Sequence, residues 1–170
     1  ILFLTAAVSI IFLYSAVGFQ NENTGGGKEI ILRHPDSLLG QTQDGETVRK
    51  YSGNVSFSQG SVLVNCDNAI HYIDRNEARL FGNVVIYQEG LVLKAPLVNY
   101  FGNTGRADAR LGVEITNNKA VLTADSGVYS TETKIADFEG NVLFKDDTVS
   151  IKSRKMKYFK QKNMSRAFGD

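Results

Sequence analysis

Three aspartates, Asp36, Asp67 and Asp125, are the residues of this 170-residue chain with the clearest potential for acid–base chemistry. Paired carboxylates can act as general acid and general base when both reach the reacting atoms. Asp67 and Asp125, however, lie 58 residues apart, which is twice the interval of 29 at which other motifs recur. A carboxylate repeated at that interval indicates a structural corner, in which an aspartate binds backbone close to it. We therefore predict no catalytic residue.

The remaining reactive side chains are too few for a metal centre. The chain has two histidines, His34 and His71, and one cysteine, Cys66. A site of three histidines and a cage of cysteines are both impossible with this set. We expect a structural role for both histidines and burial of Cys66 as a small apolar residue. The prediction is a protein without enzymatic activity, cofactor or metal.

Charge is balanced, with 19 Lys and Arg against 18 Asp and Glu. This balance gives no support for a nucleic-acid partner. Residues 145–170 differ, because they contain eight Lys or Arg and three Asp. A solvated strand face explains the excess, and contact with lipid phosphates or an acidic partner is the alternative. The candidate phosphate contacts are Lys152, Arg154, Lys155 and Lys157.

Residues 1–19 are apolar and uncharged, and a membrane-spanning helix needs roughly 20 such residues. We favour a secretory signal peptide, with Ala16 and Gly18 as the small residues before a cleavage site. An uncleaved helical anchor, which would give the chain a membrane contact, is the alternative. Residues 20–27 are polar and Gly-rich, and we expect a linker there. Both interpretations export the rest of the chain.

The exported part is a repeat. Gly-Asn-Val begins at positions 53, 82 and 140, and the variant Leu-Gly-Val begins at position 111. Tyr100, Tyr129 and Tyr158 recur at the same interval of 29, with His71 in the equivalent position of the first unit. Units of this size stack to share one interior. We predict one repeat domain over 28–170; since Gly169 would open a further unit, we expect the natural chain to continue.

Each unit contains apolar residues at every second position, which is typical of strands with one buried face. Turn residues such as Asn117-Asn118 and Asp146-Asp147 favour hairpins and therefore antiparallel pairing. At Asp67 the apolar alternation shifts by one residue, which indicates a bend or a bulge. The prediction is an all-β fold with about four short strands per unit.

Two architectures fit stacked units of this kind. One is a closed solenoid with a dry core, and the other is an open, taco-like β-jelly-roll whose interior is a groove for acyl chains. The residues alone do not decide between them. The inward residues, which would line the groove, are Val55, Phe57, Val62, Val64, Val84, Ile86, Leu91, Leu93, Val113, Ile115, Leu122, Val142, Phe144, Val149 and Ile151.

Several motifs in one register resemble a known family. They are the three Gly-Asn-Val motifs, VLTAD at 121–125, FEGNV at 138–142, and the opening segment IILRHPDSLLG followed by YSGNVSFSQG. Together they resemble the OstA-like (LptA-like) proteins, the periplasmic bridge of lipopolysaccharide transport in Gram-negative bacteria. The resemblance covers residues 28–170 and implies an open, antiparallel β-jelly-roll.

The resemblance also implies a function. The chain would carry lipopolysaccharide from the inner to the outer membrane, with the acyl chains in the apolar groove. Other bridge modules would pair with its exposed edge strands. The protein would be periplasmic, with anchoring in the inner membrane or association with the outer membrane as variants. The alternative is a closed β-solenoid with parallel pairing, acting as a structural or glycan-binding protein of the cell envelope.

Overall fold

The structure, a computed structural model, describes residues 30–33, 35–59, 62–88, 90–116, 119–130, 132–162 and 164–169. The predicted signal or anchor (1–19), the linker (20–27), His34 and the turn at 117–118 lie outside the described residues. In the part that is described, no helix is long and apolar enough to cross a membrane.

Antiparallel strands account for most of the described chain. The strands are β1 (Ile30–Arg33), β2 (Ser37–Gln43), β3 (Glu46–Gln59), β4 (Val62–Tyr72), β5 (Glu77–Gln88), β6 (Leu91–Phe101), β7 (Arg106–Arg110), β8 (Val113–Thr116), β9 (Ala120–Ala124), β10 (Ser126–Ser130), β11 (Ile135–Asp146), β12 (Ser150–Phe159) and β13 (Met164–Phe168). One 3-10 turn, Lys160–Lys162, precedes β13.

All thirteen strands belong to one sheet. Its main path runs β1-β3-β4-β5-β6-β7-β10-β11-β12-β13, with β2 beside β3, and with β8 and β9 bridging β6 and β11. Every strand pairing among the described residues is antiparallel. The predicted antiparallel all-β fold is therefore confirmed, and the parallel solenoid is excluded.

The Gly-Asn pairs bend the long strands. In β5, Gly82 and Asn83 have φ values of 74° and 46°, a left-handed conformation that glycine and asparagine adopt most readily. The register with both neighbouring strands shifts there, as at a β-bulge. The ladder resumes on both sides, so two of the predicted short strands merge into one bent strand, and β3 and β11 bend in the same way.

The bends divide the sheet into two walls around a shared interior. The tyrosine wall consists of β2, β7, β10, β13 and residues 46–52, 68–72, 77–81, 97–101, 135–139 and 155–159. The aliphatic wall consists of β1, β8, β9 and residues 55–59, 62–66, 84–88, 91–95, 142–146 and 150–153. Inward side chains of both walls form one buried cluster. Tyr51 of the first wall meets Phe57 of the second edge-on, with ring centroids 5.6 Å apart.

An aspartate in the neighbouring segment of the chain, within β4 or beside the end of β2 or β10, holds each Gly-Asn bend. Asn83 Nδ2 donates to Asp67 Oδ2 over 2.9 Å, and Asn141 Nδ2 donates to Asp125 Oδ2 over the same distance. Asp36 accepts the equivalent bond in the leading unit, at 3.2 and 3.3 Å from its two oxygens. The structural role predicted for these aspartates fits this geometry, although the side-chain partner is an asparagine across the strand pair, 16 to 18 residues away.

The third bend keeps the backbone conformation without this contact. Pro96 stands where Asp67 stands in its unit, and Leu111-Gly112 replaces Gly-Asn. Leu111 and Gly112 still have positive φ values, 67° and 101°. The strands separate here, since β7 ends before the bend and β8 begins after it. Both members of the aspartate–asparagine pair are therefore replaced in this unit. Neither an aspartate nor an asparagine is left at this bend without its hydrogen-bond partner.

Replacing Gly82 with alanine is expected to destabilise the fold more than the same replacement at Gly90. Both glycines have positive φ, 74° and 83°, so the two variants share the backbone strain. A Cβ at position 82 would lie 2.8 Å from Asp67 Cβ, whereas one at position 90 meets nothing within 4 Å. Urea denaturation should show that Gly82→Ala loses about 1–3 kcal/mol more unfolding free energy. Equal losses would contradict a bend held by Asp67.

Candidate functional site

Inward side chains form rows that run across the strands, because residues paired in antiparallel register point to the same face. Each unit contributes two strands, so the 29-residue period places equivalent residues in one row. The first row of the tyrosine wall contains, in order, His71, Ala78, Tyr100, Ala107, Tyr129, Ala136, Tyr158 and Ser165. Its aromatic and small members alternate, so an opposing surface can interdigitate with it.

A second row of the tyrosine wall lies closer to the bends and contains only apolar residues and glycine. It consists of Tyr51, Ala69, Leu80, Val98, Ala109, Gly127, Phe138, Met156 and Ala167. Gly127 makes room for the aromatic ring beside it, since an added Cβ would lie 3.1 Å from carbons of Phe138. This wall was not among the predicted lining residues, although the sequence shows its tyrosine and alanine columns.

The aliphatic wall carries a continuous row of larger side chains. It consists of Phe57, Val64, Ile86, Leu93, Ile115, Leu122, Phe144 and Ile151. A row of Val55, Cys66, Val84, Ala95, Val113, Ala124, Val142 and Ser153 lies between it and the bends. An apolar surface therefore extends from β3 to β12.

Thirteen of the fifteen predicted groove residues have inward positions in the aliphatic wall. Eleven of them are buried, and Ile86 and Ile151 are partly buried against the same cluster. The side chain of Val62 lies outside the described residues. The inward residues of the two walls are buried among one another, so an apolar ligand would replace contacts between the walls.

Val149 is a correction to the predicted lining. It is 43% exposed and lies in the turn before β12. Asp146 fixes this turn, because its Oδ1 accepts the backbone N–H groups of Thr148 and Val149, each over 2.7 Å. The turn therefore holds Val149 away from the interior.

Burial favours the neutral form of three titratable groups of the interior. Burial, with a smaller effect of the Arg49 charge, lowers the pKa of His71 to about 4. Burial raises the pKa of the Cys66 thiol to about 12, with a further contribution from the Asp67 charge. Tyr129 also has a pKa raised to about 12, mainly by burial. Neutral groups of this kind add no cost of desolvating a charge when an apolar ligand covers them, and the buried thiol is not an activated nucleophile.

The four candidate phosphate contacts do not form one cluster. Lys155 Nζ lies 2.8 Å from Glu139 Oε1. Lys157 Nζ lies 3.0 Å from Asp137 Oδ1. Lys152 is exposed on the aliphatic wall, and Arg154 lies at the bend between the walls. Two of the four cations are thus paired with carboxylates across the strand, as on a solvated strand face. Among the described residues, no three metal-ligating side chains come together.

The sheet has exposed edges at both ends. Among the described residues, β2 pairs only with β3, and its Leu38 and Leu39 are 56% and 53% exposed. At the other end, β13 pairs only with β12 in the described part of the chain, and its Phe168 is 47% exposed. Unpaired strands with exposed apolar side chains are suited to strand addition.

Comparisons with known proteins agree with this architecture. The family described as "OstA-like protein" matches residues 27–140. A similar solved structure is that of LptH from Pseudomonas aeruginosa, described as the LptA homologous periplasmic component of a lipopolysaccharide transport device. Its TM-score is 0.56 at 18% identity, over 66% of this chain and 83% of LptH. No curated protein sequence matches the chain.

His71 should make the stability of the fold depend on pH. Its pKa is about 4 in the folded protein and about 6.5 in an unfolded chain. Protonation therefore favours unfolding, and stability present above pH 6.5 should fall by roughly 3 kcal/mol as the pH falls to about 4. The variant His71→Tyr carries the tyrosine that the other three units have at this position. Its stability should not fall over this pH range. Urea denaturation at a series of pH values compares the two proteins, and identical pH profiles would contradict the assignment.

Proposed function

The chain belongs to the OstA-like protein family, and from this premise we propose that it is a non-enzymatic periplasmic module that carries lipopolysaccharide between the membranes. The acyl chains would lie between the tyrosine wall and the aliphatic wall. The observation that supports this proposal is the unbroken apolar row from Phe57 in β3 to Ile151 in β12. It offers an apolar path across the sheet, from one edge region to the other.

Apolar burial supplies the binding energy. Each CH₂ group of an acyl chain contributes roughly 0.8 kcal/mol when it leaves water. Part of this gain is offset because the chain displaces contacts that the walls make with each other. Apart from Arg49, which pairs with His71 at the β3 end of the first row, the described inward rows hold no fixed charge, so neighbouring positions are similar in energy and the lipid can slide. The direction of movement must come from an energy source elsewhere.

The lipid would enter on the side of the hairpin turns. The walls are joined covalently at the bends, where the aspartate–asparagine bonds hold the backbone. On the far side they end in separate turns, such as 73–76 and 102–105 in the tyrosine wall. We propose that the walls separate at the turns and remain joined at the bends. Acyl chains then replace side chains of the opposite wall.

Neighbouring bridge modules would extend the path by strand addition. A strand paired with β2, or with β13 at the other end, would continue the sheet and bring its own inward rows into line. The proposed location is the periplasm, which is where its structural neighbour LptH is described to act. Residues 1–19 would direct export or provide a membrane anchor.

Photo-crosslinking should distinguish the interior from the outer surface. A photoreactive amino acid at Ile86 or Leu93, both inward, should capture lipopolysaccharide in vesicles or detergent. The same group at Val85, whose strand partner is the exposed Lys94, should not. Gel mobility and an antibody against the glycan provide the measurement. Equal labelling at all three positions would contradict a path between the walls.

Leu38→Lys should weaken self-association or pairing with another module without unfolding the protein. The substitution puts a charge on the edge strand β2, where Leu38 is 56% exposed. The matched control is Leu111→Lys, because Leu111 is 75% exposed but lies at a bend. Sedimentation velocity should show smaller species for Leu38→Lys alone. The same effect in both variants would argue against pairing through β2.

A further inference from the structure

A polar cleft of about 190 Å³ lies on the tyrosine wall, where β4, β5 and β6 approach their turns. It is lined by Tyr72, Arg75, Glu77, Arg79, Asn99 and Phe101. Ala78 and Tyr100, which pair with each other and belong to the inward row, complete the lining. The cleft is thus one strand layer away from the interior and close to the turns at which the walls would separate.

The two arginines of the cleft have different partners. Arg75 lies over the Tyr72 ring at 4.2 Å and is held by Glu46 at 3.2 Å and Glu77 at 3.7 Å. Arg79 lies over the Phe81 ring at 5.9 Å. In the described part of the chain, Arg79 makes no ion pair with a carboxylate. Its guanidinium is therefore the cation of this cleft that is ready to accept an anion.

The cleft combines groups that recognise an anionic sugar. A guanidinium binds a phosphate through two parallel hydrogen bonds. The Glu77 carboxylate can accept hydrogen bonds from hydroxyl groups, and the Asn99 amide can both accept hydrogen bonds from them and donate to them. The volume is below the roughly 300–1,000 Å³ of sites that enclose a drug-sized ligand. It suits one sugar ring with its charged substituent, and not a whole glycolipid.

We propose that this cleft binds the phosphorylated sugar headgroup of the carried lipid, with Arg79 as the phosphate ligand. The inference rests on the proposed function, because it assumes acyl chains between the walls. The headgroup would pass over the rim near residues 73–76 and lie on the outer face. Arg79 would then select phosphorylated lipids and fix the orientation of the cargo.

The test compares two lipids on the full chain. One is an acylated glucosamine disaccharide with its phosphates, and the other is the same lipid after enzymatic dephosphorylation. The protein should bind the phosphorylated form about tenfold more tightly. Arg79→Gln should abolish this preference. Arg166→Gln is the matched control, because Arg166 also lies over an aromatic ring, that of Phe159 at 5.8 Å, but on β13, and it should keep the preference.

Three results would overturn the inference. They are a preference retained in Arg79→Gln, a preference lost equally in Arg166→Gln, and binding of the soluble phosphorylated disaccharide as tight as that of the lipid. The last would indicate a site for a free sugar phosphate. Lipid capture from Leu93, measured in the same variants, separates this inference from the proposed function. Capture that persists while the phosphate preference is absent leaves transport standing and removes the headgroup site.

Discussion

The left-handed backbone of the Gly-Asn pair, held by an aspartate across the strand, is the constraint on which the interior depends. A flat sheet of these strands would leave one wide apolar face in water. The bend folds that apolar face onto itself. Paired strands bend at the same level, so the bends align across the sheet. In β4 the inward residues are Val64 before the bend and Ala69 after it, so the alternation shifts by one residue there. Only a bulge permits this shift within one strand.

Much of this organisation could be predicted from the sequence because its period equals two strands. The recurrence of Tyr100, Tyr129 and Tyr158 became one row of the sheet, and the shift at Asp67 became the bend. The sequence could not predict that the tyrosine wall packs against Val55 and Phe57, because this packing depends on the angle of the bend. The exposure of Val149 depends on the side-chain bonds of one turn.

The outer face was harder to predict because its contacts follow no period. Asp108 is 3% exposed although it faces outward, because Arg106 binds both its oxygens at 2.7 and 2.9 Å and Arg110 lies at 3.5 Å. The cleft around Arg79 likewise draws residues from three strands. A local signal does exist in the alternation of arginine with an aromatic or acidic residue, as in Arg79-Leu80-Phe81. The alternation alone does not show that these residues form a cleft, because the other residues of the cleft lie on neighbouring strands.

The two faces of the tyrosine wall separate charge from apolar surface, and this separation matches an amphiphilic cargo. Inside, burial favours the neutral forms of His71 and Tyr129. Outside, arginines and carboxylates form pairs or stack on aromatic rings, as Arg75 does with Glu46 and Tyr72. A lipid of the kind proposed, with apolar chains and an anionic headgroup, would have its lowest free energy with the chains between the walls and the headgroup at the rim, because moving a charge inward costs several kcal/mol. The same distribution of polarity that stabilises the packed interior would therefore give the proposed cargo one orientation.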